Sequence, residues 1–153
     1  MTELLEDEVA SAVVSESDVL FTGHVWDIRK DTFRYGDSDI VREYVDHTGA
    51  VAIFALDDND RVLLIKQYRH PVGMREWELP AGLLDEDNEH PVEAAKRELA
   101  EETDYVAADW NVLSEFYTSP GGSNEALRIY LARGLTWFEY VGDSRVTSKL
   151  RLK

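Results

Sequence analysis

The run Pro91-Val92-Glu93-Ala94-Ala95-Lys96-Arg97-Glu98-Leu99-Ala100-Glu101-Glu102 constrains this chain more than any other segment. With Pro91 at the first helical position, His90 becomes the N-cap. Glu93 then falls in the first turn, where a carboxylate meets the positive end of the helix dipole. The spacing predicts a helix from Pro91 to about Glu102 or Thr103. Glu98 and Glu102 are four apart and Glu98 and Glu101 three apart, so one turn of roughly 5.4 Å stacks the carboxylates on neighbouring parts of one face. Val92, Ala95 and Leu99 supply the apolar side. Three like charges so close repel one another by a few tenths of a kcal/mol per pair in water, a cost that a hard divalent cation with oxygen ligands would reverse. Magnesium is the natural candidate, with manganese as an alternative.

A plainer reading stands beside this one. Glu93 with Arg97, and Arg97 with Glu101, are four-residue opposite-charge pairs that would stabilise a solvated helix unaided. The surroundings separate the two readings. Glu89 precedes Arg97 by eight residues, and an apolar strand with a Pro80-Ala81-Gly82 turn precedes both.

Taken together, Gly82, Glu89 and Arg97-Glu98-Leu99-Ala100-Glu101-Glu102 resemble the signature of the Nudix hydrolase family. Residues 89 to 102 fit that signature without a gap. Six residues instead of five separate Gly82 from Glu89, and Asp104 stands where the signature has glycine before an apolar residue, here Tyr105. Gln67-Tyr68-Arg69-His70, Glu76-Trp77-Glu78-Leu79-Pro80-Ala81-Gly82 and Pro120, fifteen residues after Tyr105, resemble the family's ADP-ribose pyrophosphatase branch. The resemblance covers roughly residues 20 to 135 and implies a Nudix fold, a mixed-sheet α/β/α sandwich.

The resemblance also implies roles. Glu98 and Glu102 would bind magnesium together with the backbone carbonyl of Ala81, and Glu101 would be a third ligand or a water-bridged partner. Arg97 would orient a neighbouring glutamate, and Arg69 would meet the substrate's phosphates as a charge-assisted fork. Arg42 and Glu43 occupy the place where relatives contact the adenine end of the substrate, often from the other subunit of a homodimer. Glu125, closing the loop that holds Pro120, is a further substrate-binding candidate. The implied reaction is metal-assisted attack of water on the diphosphate of ADP-ribose, giving AMP and ribose 5-phosphate.

A general base is also expected, usually a glutamate after the strand equivalent to Ala126–Ala132. Glu139 is the one glutamate beyond that strand, although an exposed tail residue is the commoner role for such a position. From residue 136 the chain reads as an atypical tail, basic at Lys149, Arg151 and Lys153, with no recognisable closing amphipathic helix. A naturally short protein and a truncated or altered reading both stay open. Three competing functions follow: a catalytically impaired module that binds ADP-ribose or a related nucleotide, hydrolysis of another nucleoside diphosphate derivative, and an acidic structural protein with a coincidental box.

Turn punctuation and alternation predict strands at 19–21, 25–28 and 40–45, the later pair joined by Gly36-Asp37-Ser38-Asp39. More buried strands are expected at 51–56 and 62–65 around the turn Asp57–Asp60, then at 112–117 and 126–132. This is an α+β pattern. The organisation expected is an acidic mobile arm over 1–17, an N-terminal antiparallel sheet over 18–47, a core over 48–135 and the tail over 136–153. The 153 residues, 44% apolar, suit one compact domain.

Zero cysteines exclude disulfides and thiolate metal sites, and His24, His47, His70 and His90 share no metal spacing. Trp26 and Tyr44 could stack a base, but core or interface packing is the commoner role of such aromatics. A net charge of -15 argues against nucleic acid or an anionic membrane as the main partner. Neither a membrane span nor a secretory signal is recognisable, so a cytoplasmic location is expected.

Overall fold

The computed structural model describes residues 6–140. The first residues of the acidic arm and the basic end of the tail, with Lys149, Arg151 and Lys153, lie outside the described residues. Instead of one compact domain, the chain forms two compact units. One runs through His47 and takes in Gly121–Ser123; the other holds the remainder from Thr48 onward.

In the first unit, β1 (Val14–Phe21), β2 (Asp27–Tyr35) and β3 (Ser38–Asp46) form an antiparallel sheet in that order. Strand β1 begins inside the segment expected to be a mobile arm. Alternation had suggested only short strands here, because charged residues interrupt it. Cross-strand pairs recover them: Lys30 reaches Asp18 at 3.1 Å, and Arg34 reaches Asp39 at 3.2 Å. Gly36, with φ of 59°, and Asp37 make the two-residue turn between β2 and β3. The expected strand at 25–28 enters the sheet only at Asp27. Trp26 instead stacks on His47, with ring centroids 5.3 Å apart, and the Tyr44 hydroxyl donates to Asp31 Oδ2.

The second unit is built on a four-stranded mixed sheet in the order β7 (Ala81–Leu83), β4 (Ala50–Ala55), β9 (Ala126–Trp137), β8 (Tyr105–Tyr117). Strands β4 and β9 are parallel, so the chain between them must cross over, and it does so through the helix α1 (Pro91–Thr103). Strands β5 (Ile65–Arg69) and β6 (Met74–Glu78) pair as a separate two-stranded ribbon.

The expected strand over 62–65 is reduced to one bridge, Leu56 with Val62. Strand β9 takes one edge of β4, and β7 with the Pro80 carbonyl takes residues 50–53 of the other, which leaves only the end of β4, where the Ala55 carbonyl accepts from the Leu63 N–H at 2.9 Å. The turn itself forms as expected: Asp57 Oδ1 accepts from the N–H groups of Asn59 and Arg61. Strands β8 and β9 both run past their expected limits. Gly134, in the left-handed region at φ 68°, lets β9 continue beside Ala108, and Thr136 and Trp137 are paired strand rather than tail.

The core joins α1 to the sheet. Ala94, Ala95 and Leu99 pack with Val51, Ile53 and Ala55 of β4 and with Tyr130 and Ala132 of β9. Each fully buried Leu or Ile contributes about 1.5–3 kcal/mol relative to exposure. This packing sets which face of α1 turns inward and therefore where its carboxylates lie. One helical layer is present among the described residues, and there no helix is long and apolar enough to cross a membrane.

Candidate active site

The helix begins and ends where its sequence dictates. His90 is the N-cap, its Nδ1 accepting from the Val92 N–H, and Pro91 opens the first turn. Glu93 pairs with Lys96 at 2.8 Å, not with Arg97. Arg97 instead grips the preceding loop: Nε and Nη2 donate to the two oxygens of Glu89 at 3.1 and 3.0 Å. Its Nη1 donates to Glu98 Oε1 at 2.6 Å and lies 3.6 Å from Glu101 Oε2. These bonds raise the Arg97 pKa, and they lower that of Glu89.

Burial decides against the solvated-helix reading. Glu98 and Glu102 are only 8% and 7% exposed. Glu102 Oε2 accepts from the Ala81 N–H at 3.1 Å. Desolvation pushes its pKa up to about 7 and the Glu98 charge adds to that, while the Ala81 bond and the Arg69 charge pull the other way. Glu98 lies against Gly82, the next residue of β7. A Cβ built on Gly82 would stand 2.2 Å from the Glu98 carboxyl carbon, so only glycine leaves room for this carboxylate. Two buried carboxylates thus meet the Ala81-Gly82 backbone.

In the β5–β6 ribbon Arg69 stands opposite Met74 and Glu78 opposite Ile65, and the Arg69 side chain reaches along the ribbon to Glu78. Arg69 Nε donates to both Glu78 oxygens, at 2.9 and 3.1 Å, and Nη2 donates to Oε2 at 2.6 Å. The Glu78 bond raises the Arg69 pKa, and Glu102 contributes to the same shift. Glu101 accepts from the Tyr140 hydroxyl at 3.1 Å on Oε1. The left-handed Asp104 closes the helix, its N–H bonded to the Ala100 carbonyl.

The structure therefore gathers Ala81, Arg97, Glu98, Glu101 and Glu102 at one end of the second unit, with Arg69 near enough to act on Glu102. Arg42 and Glu43 are exposed residues of β3 in the first unit, where Arg42 Nη1 donates to the Val41 carbonyl. Glu125 is bonded to the Thr118 hydroxyl at 2.5 Å, and Glu139 is exposed beyond β9. Sequence reasoning did not assign Glu78 or Tyr140. The ribbon's register sets Arg69 opposite Met74, so strand pairing does not announce Glu78, and nothing local ties Tyr140 to Glu101.

As a metal cradle the site has a particular character. Among the described residues, no three His, Cys, Asp or Glu side chains are grouped so as to hold a cation by themselves. The donor set that fits is two buried carboxylates with the Ala81 carbonyl of β7, oxygen donors suited to magnesium or manganese. Proton and cation are alternative occupants of such a pair, and the raised Glu102 pKa records how poorly the bare charges are tolerated.

Comparison with known proteins identifies the family. The NUDIX domain family model matches residues 46–146, and the chain belongs to that family. It is 49% identical over 120 residues to an ADP-ribose pyrophosphatase of Mycobacterium tuberculosis, covering 78% of this chain and 58% of that protein. To an ADP-ribose pyrophosphatase of Bacillus subtilis it is 43% identical over 98 residues, or 64% of this chain and 52% of the relative. The chain thus spans little more than half the length of these relatives. A solved structure described as an ADP compounds hydrolase superposes with a TM-score of 0.75 at 21% identity, covering 95% of this chain and 80% of that one. At that identity the likeness shows the shared fold.

Proposed function

We propose that this chain is a divalent-cation-dependent hydrolase that cleaves the diphosphate of ADP-ribose or a closely related nucleoside diphosphate derivative, giving AMP and ribose 5-phosphate in the first case. The observation that carries this reading is the burial of Glu98 and Glu102 against Ala81 and Gly82 of β7, an arrangement that costs stability unless a cation shares the charge. The similarity to ADP-ribose pyrophosphatases supports the substrate class.

In this reading Glu98, Glu102 and the Ala81 carbonyl hold magnesium, with manganese able to replace it, and Glu101 is a third ligand or a water-bridged partner. When bound, the metal neutralises phosphate oxygens and acidifies the attacking water. The attack forms a new P–O bond to water and breaks the P–O bond to the bridging oxygen, which leaves with one phosphate. Arg97 orients Glu98 and Glu89. Arg69 presents its guanidinium to the diphosphate, sharing it with or releasing it from Glu78. Arg42 and Glu43 hold the adenine end from the partner of a homodimer, and Glu125 borders the same substrate. Proton removal from water falls to Glu101 or Glu139, which separate Gln variants distinguish by the acid limb of the pH–rate profile.

AMP release from ADP-ribose with magnesium, beside the Glu98→Gln, Glu102→Gln variant, tests the reading. The expected loss is at least about a hundredfold, in the range seen when electrostatic stabilisation is removed. Equal rates in both proteins would overturn it. The exposure of Glu139 favours a second reading, a module that binds ADP-ribose without cleaving it. Stoichiometric binding by titration calorimetry in magnesium, with no AMP formed, would select that alternative.

A further inference from the structure

Asp104 stands where the signature has glycine, and its backbone adopts the left-handed geometry that glycine takes without strain, φ 60° and ψ 31°. Aspartate is tolerated there less comfortably. What it adds is a carboxylate, and Oδ1 accepts from the Tyr140 N–H at 3.3 Å. The Asp104 carbonyl accepts from the Phe138 N–H at 2.9 Å. These two bonds fold the segment after β9 back onto the end of α1, where the rings of Phe138 and Tyr140 meet edge to face at 6.3 Å. There the Tyr140 hydroxyl donates to Glu101 Oε1, while the other carboxylate oxygen of Glu101 faces Arg97.

We propose that Asp104 and Tyr140 form one positioning unit that holds the Glu101 carboxylate beside the cation cradle, so that cation affinity depends on a phenol acting only through Glu101. The proposal rests on the cradle reading above. A carboxylate three residues after Glu98 has several rotamers open to it on a bare helix end, and fixing one of them lowers the ordering cost when a cation binds. The departure from glycine at 104 is, on this view, what anchors the clasp.

The test is Mn2+ binding to the full chain, read by the electron paramagnetic resonance of free Mn2+. Tyr140→Phe keeps the ring contact and removes only the hydroxyl. It should weaken Mn2+ by about fivefold, the usual scale of one hydrogen bond. Glu101→Gln should weaken it at least as much, and the double variant should bind no more weakly than Glu101→Gln alone, since the Tyr140 hydroxyl is proposed to reach the cation through Glu101. Asp104→Gly relaxes the backbone yet should also weaken Mn2+, a result that a purely structural role would not produce. Native affinity in Tyr140→Phe, or losses that multiply in the double variant, would overturn the proposal while loss of binding in Glu98→Gln, Glu102→Gln upheld the cradle. Native affinity in that last variant would overturn the cradle reading and this proposal with it.

Discussion

The N-terminal sheet and the helix α1 use the same chemistry to different ends. In the sheet, Lys30–Asp18 and Arg34–Asp39 meet across strands at 3.1 and 3.2 Å with their side chains largely in solvent. On the helix, Arg97 meets Glu89 and Glu98 at 3.0 and 2.6 Å, close to the same lengths. What differs is water. Exposed pairs of this kind contribute about 0–1 kcal/mol, because solvent screens the attraction and ordering two long side chains costs entropy. Where the carboxylates of α1 are withdrawn from solvent, the bare charge is penalised, and Glu102 is pushed up to about 7. Bond length alone does not mark a site; desolvation does.

That contrast can be broken at its support. Leu99 is fully buried between the carboxylates' helix and the sheet, so Leu99→Ala should cost about 2–5 kcal/mol in chemical denaturation. Val41, half-exposed on β3, should give a change within about 0.5 kcal/mol when cut to Ala. Similar costs at the two positions would show that the sheet is as deeply packed as the core.

Next in size is Gly82→Ala. Its new methyl group would overlap the Glu98 carboxylate, so the expected loss is about 1–3 kcal/mol of stability together with weaker magnesium binding by calorimetry. Native stability and affinity would mean that Glu98 can move away from Gly82 without consequence.

Smaller again is Arg34→Ala in the sheet. Thermal unfolding should change by less than about 1 kcal/mol, and the difference should vanish in high salt. A larger, salt-insensitive loss would erase the distinction between the two regions.

The smallest effect belongs to an exposed carboxylate that is nevertheless well bonded. Hydrogen bonds from the Arg61 backbone and side chain lower the Asp57 pKa from 3.8 to about 2. The folded state therefore favours the ionised form. Its contribution is fully present above pH 3.8 and is lost as pH falls through about 2. Asp57→Asn should flatten the acid limb of the stability curve in that window, as followed by denaturant midpoints. An unchanged limb would remove Asp57 from the account.

Much of the helix was legible from the chain. His90 as N-cap, Pro91 at the first position and the inward Ala95 and Leu99 all follow from spacing along one element. Of the two expected four-residue pairs, Arg97–Glu101 forms at 3.6 Å, whereas Glu93 chose Lys96 and Arg97 turned also to Glu89 and Glu98, because the loop before α1 supplies a carboxylate that helix geometry does not foresee. Strand extents were harder to read. Val62–Ile65 looks like a core strand, but β9 and β7 leave it only the end of β4, where the Leu63 N–H reaches the Ala55 carbonyl. The segment after Leu135 looks like a tail, yet Thr136 and Trp137 remain in β9 and Tyr140 reaches the helix end.

The sequence by itself determined the helix, the order of carboxylates along it and the family resemblance, because neighbours three and four residues apart are set by the pitch of an α-helix. Tertiary structure decided which of those carboxylates lost water and what gripped them. Ala81 and Glu102 are 21 residues apart, and Glu101 and Tyr140 are 39 apart. Contacts at such separations have no local periodicity to announce them. They exist because Leu99, Ile53 and Ala132 pack α1 onto the sheet, and that packing brings Ala81 and Gly82 of β7 and the end of β9 to the helix.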